Sequence, residues 1–239
     1  MLLFFIRHGD PIYNPDKLTP LGRRQAEAIA KRLAQYGLDR IYCSTSNRAI
    51  ETAVPTCELL KKEMELLDWC NESHAWENLA VDNENGGMSW AFQQEKYANL
   101  FASDEVRRLD KEWYLHPEFK KTQFKEGIQR IQKETDEFLS SLGYEHKHEC
   151  NAYNSIWENN EKRIALFAHQ GFGLAFLSCV LDIPYPQFCT HFDMGHTGMT
   201  VIEFPKKIGA VIPKVLQLSN DSHLYKENLP LNYHNRIRF

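Results

Sequence analysis

Three strand-length segments of this chain each run directly into a polar cluster, and that recurrence limits the folds open to it. Leu2-Leu-Phe-Phe-Ile6 is a continuous apolar run followed at once by Arg7-His8-Gly9. Arg40 to Ser44 reads as a second short strand and leads into Thr45-Ser46-Asn47-Arg48. Arg163 to Ala168 is a further buried strand, and His169-Gln170-Gly171 stands at its end. Unbroken apolar strands are covered on both faces, which is the condition of a parallel sheet flanked by helices.

The segments between them supply those helices. Thr19 as N-cap and Pro20 at the first helical position open one, Ala26, Ile29, Ala30 and Leu33 give it an apolar stripe, and Gly37 stops it. A second helix is expected over roughly 47–62, bent by Pro55, and Met64 to Asp68 is a third strand candidate of this βαβαβ rhythm. Residues of about 72–120 break the rhythm. They are rich in Trp, Asn and Glu, carry Gly86-Gly87 as a hinge or turn, and read as an inserted cap. A helix follows from Gln123 to Leu142, with Phe124, Ile128, Ile131 and Phe138 on one face. Gly171 to Leu181 forms an apolar helix, and Met199 to Phe204 with Lys214 to Leu218 forms a closing strand pair. The fold class expected is three-layer α/β/α, with a mostly parallel central sheet and a cap inserted in a single domain over 1–239.

Composition narrows the partners. Apolar residues make up 43% and charged residues 25% of 239, with a net charge of -4 and a pI near 6.2. That balance argues against nucleic acid or an anionic membrane as the main partner. The N-terminal apolar run is short, with no basic leader or cleavage site, so a cytoplasmic protein is expected. Six cysteines are scattered without a CxxC pair or a zinc spacing, so reduced thiols are expected rather than disulfides or a metal.

The strand ends carry the chemistry, because open α/β sheets bind ligands outside the carboxyl ends of their strands. His8 can attack phosphorus as a neutral imidazole. Arg7 offers a planar fork that matches phosphate oxygens. Arg48 stands in the first turn of a helix, where a cation opposes the macrodipole; it makes sense there if an anion lies between it and the helix N-terminus. His169, with Gln170, could complete a ring of donors around a phosphoryl group. Each tripeptide carries little alone, but their shared position lifts the set.

Taken together, these motifs resemble the histidine phosphatase superfamily, the phosphoglycerate-mutase-like proteins. Arg7-His8-Gly9 is similar to its signature tripeptide, Leu18-Thr19-Pro20-Leu21-Gly22 to the following helix start, Ser44 through Thr52 to the segment with the second arginine, and Ala168-His169 to that with the second histidine. Asn14 matches a phosphate-contacting Asn of the mutase-like branch. The resemblance implies that His8 takes the phosphoryl group of a small phosphorylated substrate, that Arg7, Arg48 and His169 hold its oxygens with Asn14 assisting, and that a carboxylic acid protonates the leaving oxygen and then activates water. It implies neither cofactor nor metal, and a site that also binds phosphate or its analogues. Glu72, after the third strand, best fits the acid; Glu77 is the alternative, and Asp10 fits the pattern less well.

Other candidates are weaker. His146 and His148 alternate on one face of a strand candidate, but no third ligand is evident and solvent exposure is expected. Asp221-Ser222-His223 reads as a structural tail element. Against a phosphoglycerate mutase, Asn14 is followed by Pro15-Asp-Lys-Leu, and Glu72 to Gly87 contains no Arg. A phosphatase is therefore the leading reading, the mutase the runner-up, and an inactive phospho-ligand or protein-binding module the alternative of another class. A phosphohistidine phosphatase acting on proteins is disfavoured by the long insertion. That insertion is expected to choose the substrate or to form a subunit contact, which leaves a homodimer open.

Overall fold

A computed structural model describes residues 1–231; the remainder of the expected 1–239 domain lies outside the described residues. The chain begins with β1 (Leu2–Arg7), a hairpin of β2 (Pro11–Tyr13) and β3 (Asp16–Leu18), then α1 (Pro20–Tyr36), β4 (Arg40–Ser44), α2 (Asn47–Leu60) and β5 (Met64–Leu67). The segment of 72–120 folds as α3 (Glu72–Leu79), a hairpin of β6 (Ala80–Asp82) and β7 (Met88–Trp90), α4 (Glu95–Ala102), α5 (Asp104–Arg108) and short 3-10 turns. There follow α6 (Phe124–Ser141), β8 (Tyr144–Lys147), β9 (Ala152–Ser155), β10 (Arg163–Ala168), α7 (Gln170–Leu181) and α8 (Tyr185–His191). β11 (Met199–Glu203), β12 (Gly209–Val211), β13 (Lys214–Asn220) and α9 (Ser222–Lys226) complete it.

The central sheet has six strands in the order β13-β11-β1-β10-β4-β5. β1, β10, β4 and β5 pair in parallel, and β11 runs against its neighbours. Strand alternation divides the core in two. Leu3, Phe5, Leu166 and Ala168 face one cluster, which α6 joins through Ile131 and Phe138 and α7 through Phe172 and Phe176. Phe4, Ile6, Ala165 and Phe167 face the other, formed with Ile29 and Leu33 of α1 and Ala49 and Ala53 of α2. The three layers follow from that division. α1 starts as its sequence predicts, with Thr19 accepting from the Gly22 amide at 3.0 Å, and ends at Gly37 with φ 67°.

The segment of 72–120 packs into the main core: Phe101, Val106, Trp113 and Phe119 are all buried there. Gly86-Gly87 form the tip of the β6–β7 hairpin, where the Gly86 amide bonds Asn83 and Gly86 takes a φ of 77°. They make a turn within the segment and not a hinge at its base. Among the described residues, no helix is long and apolar enough to cross a membrane.

Candidate active site

β1, β4 and β10 end side by side, so their polar C-terminal residues meet over one edge of the sheet. The His8 amide donates to the Ala168 carbonyl at 2.9 Å, locking the two histidine-bearing ends together. The Gly9 amide donates to Thr52 Oγ1 at 3.0 Å, and that hydroxyl donates to the Arg48 carbonyl at 2.7 Å, tying the β1 end to α2. Gly9 and Gly22 pass so closely that a Cβ on Gly22 would lie 2.2 Å from the Asp10 carbonyl oxygen. Only glycine lets the His8 loop rest on the start of α1.

His8 is buried, and its Nδ1 lies 2.7 Å from the Gly9 carbonyl. A carbonyl only accepts, so Nδ1 carries the proton and Nε2 keeps its lone pair. Burial, then the neighbouring His169 and Arg7, push the His8 pKa well below its ordinary value. The ring is therefore neutral and oriented, with its unshared pair on the nitrogen away from the backbone.

His169 is fixed by the same logic. Its Nδ1 lies 3.1 Å from Arg48 Nη2, which can only donate, so Nδ1 accepts and Nε2 donates to Ser44 Oγ at 2.7 Å. Burial, then Arg48 and Arg7, lower its pKa well below the usual histidine value. His169 here is a neutral acceptor toward Arg48, not the protonated donor that the ring-of-donors reading allows. The His8 and His169 ring centroids are 5.2 Å apart.

Arg48 donates through Nη1 to Asp16 Oδ1 at 2.9 Å, while the Asn47 amide donates to Asp16 Oδ2 at 2.8 Å. The anion expected between Arg48 and the α2 N-terminus is thus present as the Asp16 carboxylate. Arg7 donates to the Met194 carbonyl and lies 3.1 Å from His196 Nε2. Both guanidiniums keep a buried Nε–H with no hydrogen-bond partner among the described residues. A buried charged donor without a partner costs upward of about 1–3 kcal/mol, so both are suited to an incoming anion.

Glu72 lies at the α7 N-terminus. Its Oε1 accepts from the Gly171 amide at 2.8 Å and the Phe172 amide at 3.1 Å, and its Oε2 is 3.3 Å from His169 Nδ1 and 3.7 Å from Arg48 Nη2. Burial raises its pKa, although the Phe172 amide, Arg48, Arg7 and the Gly171 amide pull the other way. One ligand-type atom from each of His8, Glu72 and His169 lies within 4.8 Å of the others. That spacing could admit a metal ion, but the two guanidiniums beside it make the local field one for an anion.

Glu77 is exposed and lines a separate cavity on the far side of α3, with Lys96 and Lys121. Five residues advance a helix by about 140° past a full turn, so Glu72 and Glu77 face apart. Asn14 is not brought to the cluster. Tyr13 pairs with Asp16, which leaves Asn14 and Pro15 as the exposed tip of the β2–β3 hairpin. Gln170 donates to Asp193 and sits between two cavities, one of about 920 Å³ lined by Arg48, Glu72, Trp76 and Trp90, the other of about 580 Å³ lined by Arg7 and His196.

Two neighbours carry no sequence signal of their own, His196 and Asp16. His196 lies 5.9 Å from the His8 ring, and its Nδ1 is 3.5 Å from Asp10 Oδ1. Burial, then Arg7, lowers its pKa to about 4, with Asp10 opposing. β11 is antiparallel to β1, so its beginning, not its end, lies at this edge of the sheet. Asp16 is the other, and only tertiary pairing with Arg48 reveals it. His223 is buried with Nε2 3.0 Å from Thr197 Oγ1, beside the loop that carries His196. His146, expected at the solvent, has a side chain only 2% exposed, because Asp136 of α6 and Asp182 flank it.

The sequence model of the histidine phosphatase superfamily (branch 1) matches residues 3–212. The chain belongs to that superfamily. The strand-end histidines and arginines of this histidine phosphatase all fall within the match. A probable phosphatase of Schizosaccharomyces pombe, C1687.21, is 37% identical over 68 residues, which cover 25% of this chain and 32% of that protein. The match thus spans about a third of the curated relative's length. Among solved structures, a phosphoserine phosphatase mutant from Entamoeba histolytica in complex with phosphoserine is 20% identical, covers 93% of this chain and 98% of that one, and superposes with a TM-score of 0.60. The mycobacterial glucosyl-3-phosphoglycerate phosphatase with inorganic phosphate is 17% identical over 93% and 98% of the two chains, with a TM-score of 0.59. A putative alpha-ribazole-5'-P phosphatase from Escherichia coli K-12 is 18% identical over 92% and 97%, with a TM-score of 0.58. At these identities the likeness is one of fold.

Proposed function

We propose that this histidine phosphatase hydrolyses a small phosphomonoester through a phosphohistidine on His8, with no metal ion at the phosphoryl site. The observation that carries the reading is the pairing of a neutral, Nδ1-protonated His8 with two buried guanidiniums whose Nε–H groups lack partners. His8 Nε2 forms a bond to phosphorus while the bond to the leaving oxygen breaks. Glu72, whose pKa burial raises, acts as the general acid and gives a proton to that oxygen. Water then attacks phospho-His8, Glu72 takes a proton from it, and phosphate leaves with His8 restored. The transition state is loose, so most of the catalysis is positioning and charge stabilisation by Arg7 and Arg48.

The substrate's remaining portion occupies the cavity of about 920 Å³, walled by Trp76 and Trp90 from the segment of 72–120 and by Asp16 and Pro15 of the β2–β3 hairpin. Phosphoserine, glucosyl-3-phosphoglycerate and alpha-ribazole phosphate, named for structurally similar proteins, mark the size class to screen. The test is brief incubation with a labelled phosphomonoester followed by quenching. An acid-labile phosphoryl group on His8 is expected, lost in His8→Ala together with turnover. Sustained hydrolysis by folded His8→Ala overturns the proposal.

A further inference from the structure

A second cluster of chemistry-bearing side chains lies at the opposite end of α7. His146 and His148 stand two apart on one face of β8 and its continuation, with ring centroids 4.0 Å from each other. α6 packs beside them and presents Asp136, whose Oδ1 is 2.7 Å from His146 Nδ1 and whose Oδ2 is 3.0 Å from His148 Nε2. One ligand atom from each of Asp136, His146 and His148 lies within 4.8 Å of the other two.

The surroundings are ordered around that triad. His146 Nε2 is 2.9 Å from Asp182 Oδ2, and the other Asp182 oxygen takes Lys111 Nζ at 2.9 Å. Gln132 donates to Asp136 Oδ1 at 2.9 Å and lies 3.4 Å from His146 Nδ1. The Tyr153 ring stacks on His146 at 4.3 Å and 15°. We infer that Asp136, His146 Nδ1 and His148 Nε2 form a binding site for one divalent transition-metal ion of the zinc class.

Imidazole nitrogens with a single carboxylate suit zinc and its neighbours, whereas magnesium and calcium ask for oxygen ligands. A metal-bound imidazole almost always donates its second N–H to a carboxylate, which fixes its tautomer. Asp182 stands in that position for His146, and Lys111 offsets the charge it brings. Without an ion the two rings hydrogen-bond the same carboxylate, and a bound ion would replace both bonds and displace the ring protons they carry. The His148 side chain is 52% exposed, which leaves a fourth coordination position open to water.

The site is structural in placement. It joins α6, β8, the C-terminal end of α7 and, through Lys111, the 3-10 turn at Asp110–Leu115. α7 has 12 residues, so its two ends are about 18 Å apart, with the phosphoryl site at the other one.

The experiment is calorimetric titration of the chelator-stripped full-length protein with Zn²⁺ alone, and with Mg²⁺ as control, in wild type, His148→Gln and Asp182→Asn. A saturable Zn²⁺ site that Mg²⁺ does not fill is expected in wild type. Asp182→Asn should weaken it roughly 10- to 100-fold, His148→Gln at least as much, and phosphate release by His148→Gln should match wild type. The same titration on His8→Ala must retain the site, which separates it from the His8–Glu72–His169 cluster. Absence of saturable Zn²⁺ binding, equal affinity in wild type and His148→Gln, or loss of the site in His8→Ala overturns the inference.

Discussion

Replacing Glu72 with glutamine tests the proposed chemistry with little disturbance of the fold. The carboxylate accepts from the Gly171 and Phe172 amides through Oε1, and a glutamine carbonyl can keep both bonds. What disappears is an ionisable oxygen, in a carboxylate that has one oxygen within 4.8 Å of a ring nitrogen of both His8 and His169. General acid–base catalysis contributes roughly 10²- to 10⁴-fold, or about 3–5 kcal/mol of barrier. An alkyl phosphate, whose alkoxide leaves poorly, should lose that whole factor in kcat. An activated aryl phosphate needs little protonation at its leaving oxygen and should lose much less in the first step. The pH profile adds a second reading. The Glu72 pKa is raised, so its acid form persists above the usual carboxylate range. Activity on the alkyl ester should decline as pH climbs through that raised pKa, and this limb should vanish in Glu72→Gln. Initial rates on both ester types across pH are sufficient. Equal losses on both substrates, or an intact alkaline limb in the variant, would refute the role.

Neutral His8 should persist as pH falls, because burial and neighbouring positive charge lower its pKa well below 6.5; kcat/KM should therefore show no acid limb in the ordinary histidine range. Gly171→Ala should be destabilising by about 1–3 kcal/mol, since its Cβ would lie 2.2 Å from Trp90 Cζ2, and thermal unfolding together with kcat measures both the strain and the displaced Glu72 contact. Trp76→Ala should lower kcat/KM for ring-bearing phosphomonoesters roughly tenfold or more while sparing a small ester, because Trp76 lines the larger cavity away from the reacting atoms; unchanged relative preferences would show that the segment of 72–120 does not select substrate. Chelation should lower the unfolding temperature by emptying the Asp136–His146–His148 site yet leave turnover at 25 °C intact, and loss of turnover restored by metal would contradict the metal-independent mechanism.

The central layer was legible because strand burial is a local property. Leu2 to Ile6 alternates between two cores and reads as an unbroken apolar run, and the same holds for Ile164 to Ala168. Helix starts were legible where side chains cap them, as Thr19 does. Pairings that depend on chain crossing were not. Asp16 meets Arg48 only because the β2–β3 hairpin folds over α2, and nothing near either residue announces it. The hairpin that brought Asp16 in also sent Asn14 outward. The His146 reading failed for a similar reason: α6 and the α7 C-terminus supply Asp136 and Asp182 from ten and 36 residues away. Glu72 is preferred over Glu77 in the sequence for its place after the third strand; that the two face apart is a matter of helical phase, usable only once α3 is known to begin at Glu72.

The electrostatics of the proposed site bear on how one carboxyl group can act twice. Burial raises the Glu72 pKa, and the Phe172 amide, Arg48, Arg7 and the Gly171 amide oppose it, with the net shift upward. A phosphoryl dianion held by the two unpartnered Nε–H groups would neutralise much of the arginine charge that Glu72 experiences. Substrate binding should then raise the Glu72 pKa further and load the acid before it is needed. In the proposed mechanism, once the leaving oxygen has taken the proton, Glu72 would be a carboxylate held by two backbone amides at the α7 N-terminus, where the helix dipole stabilises a negative charge. That placement makes the second step feasible, since the same oxygens can then accept a proton from water. Asp16 cannot substitute, because both its oxygens are committed to Arg48 and the Asn47 amide. In the proposed mechanism the two carboxylates divide the work by environment: Asp16 holds the Arg48 guanidinium at 2.9 Å, and Glu72 is the group left to move the proton.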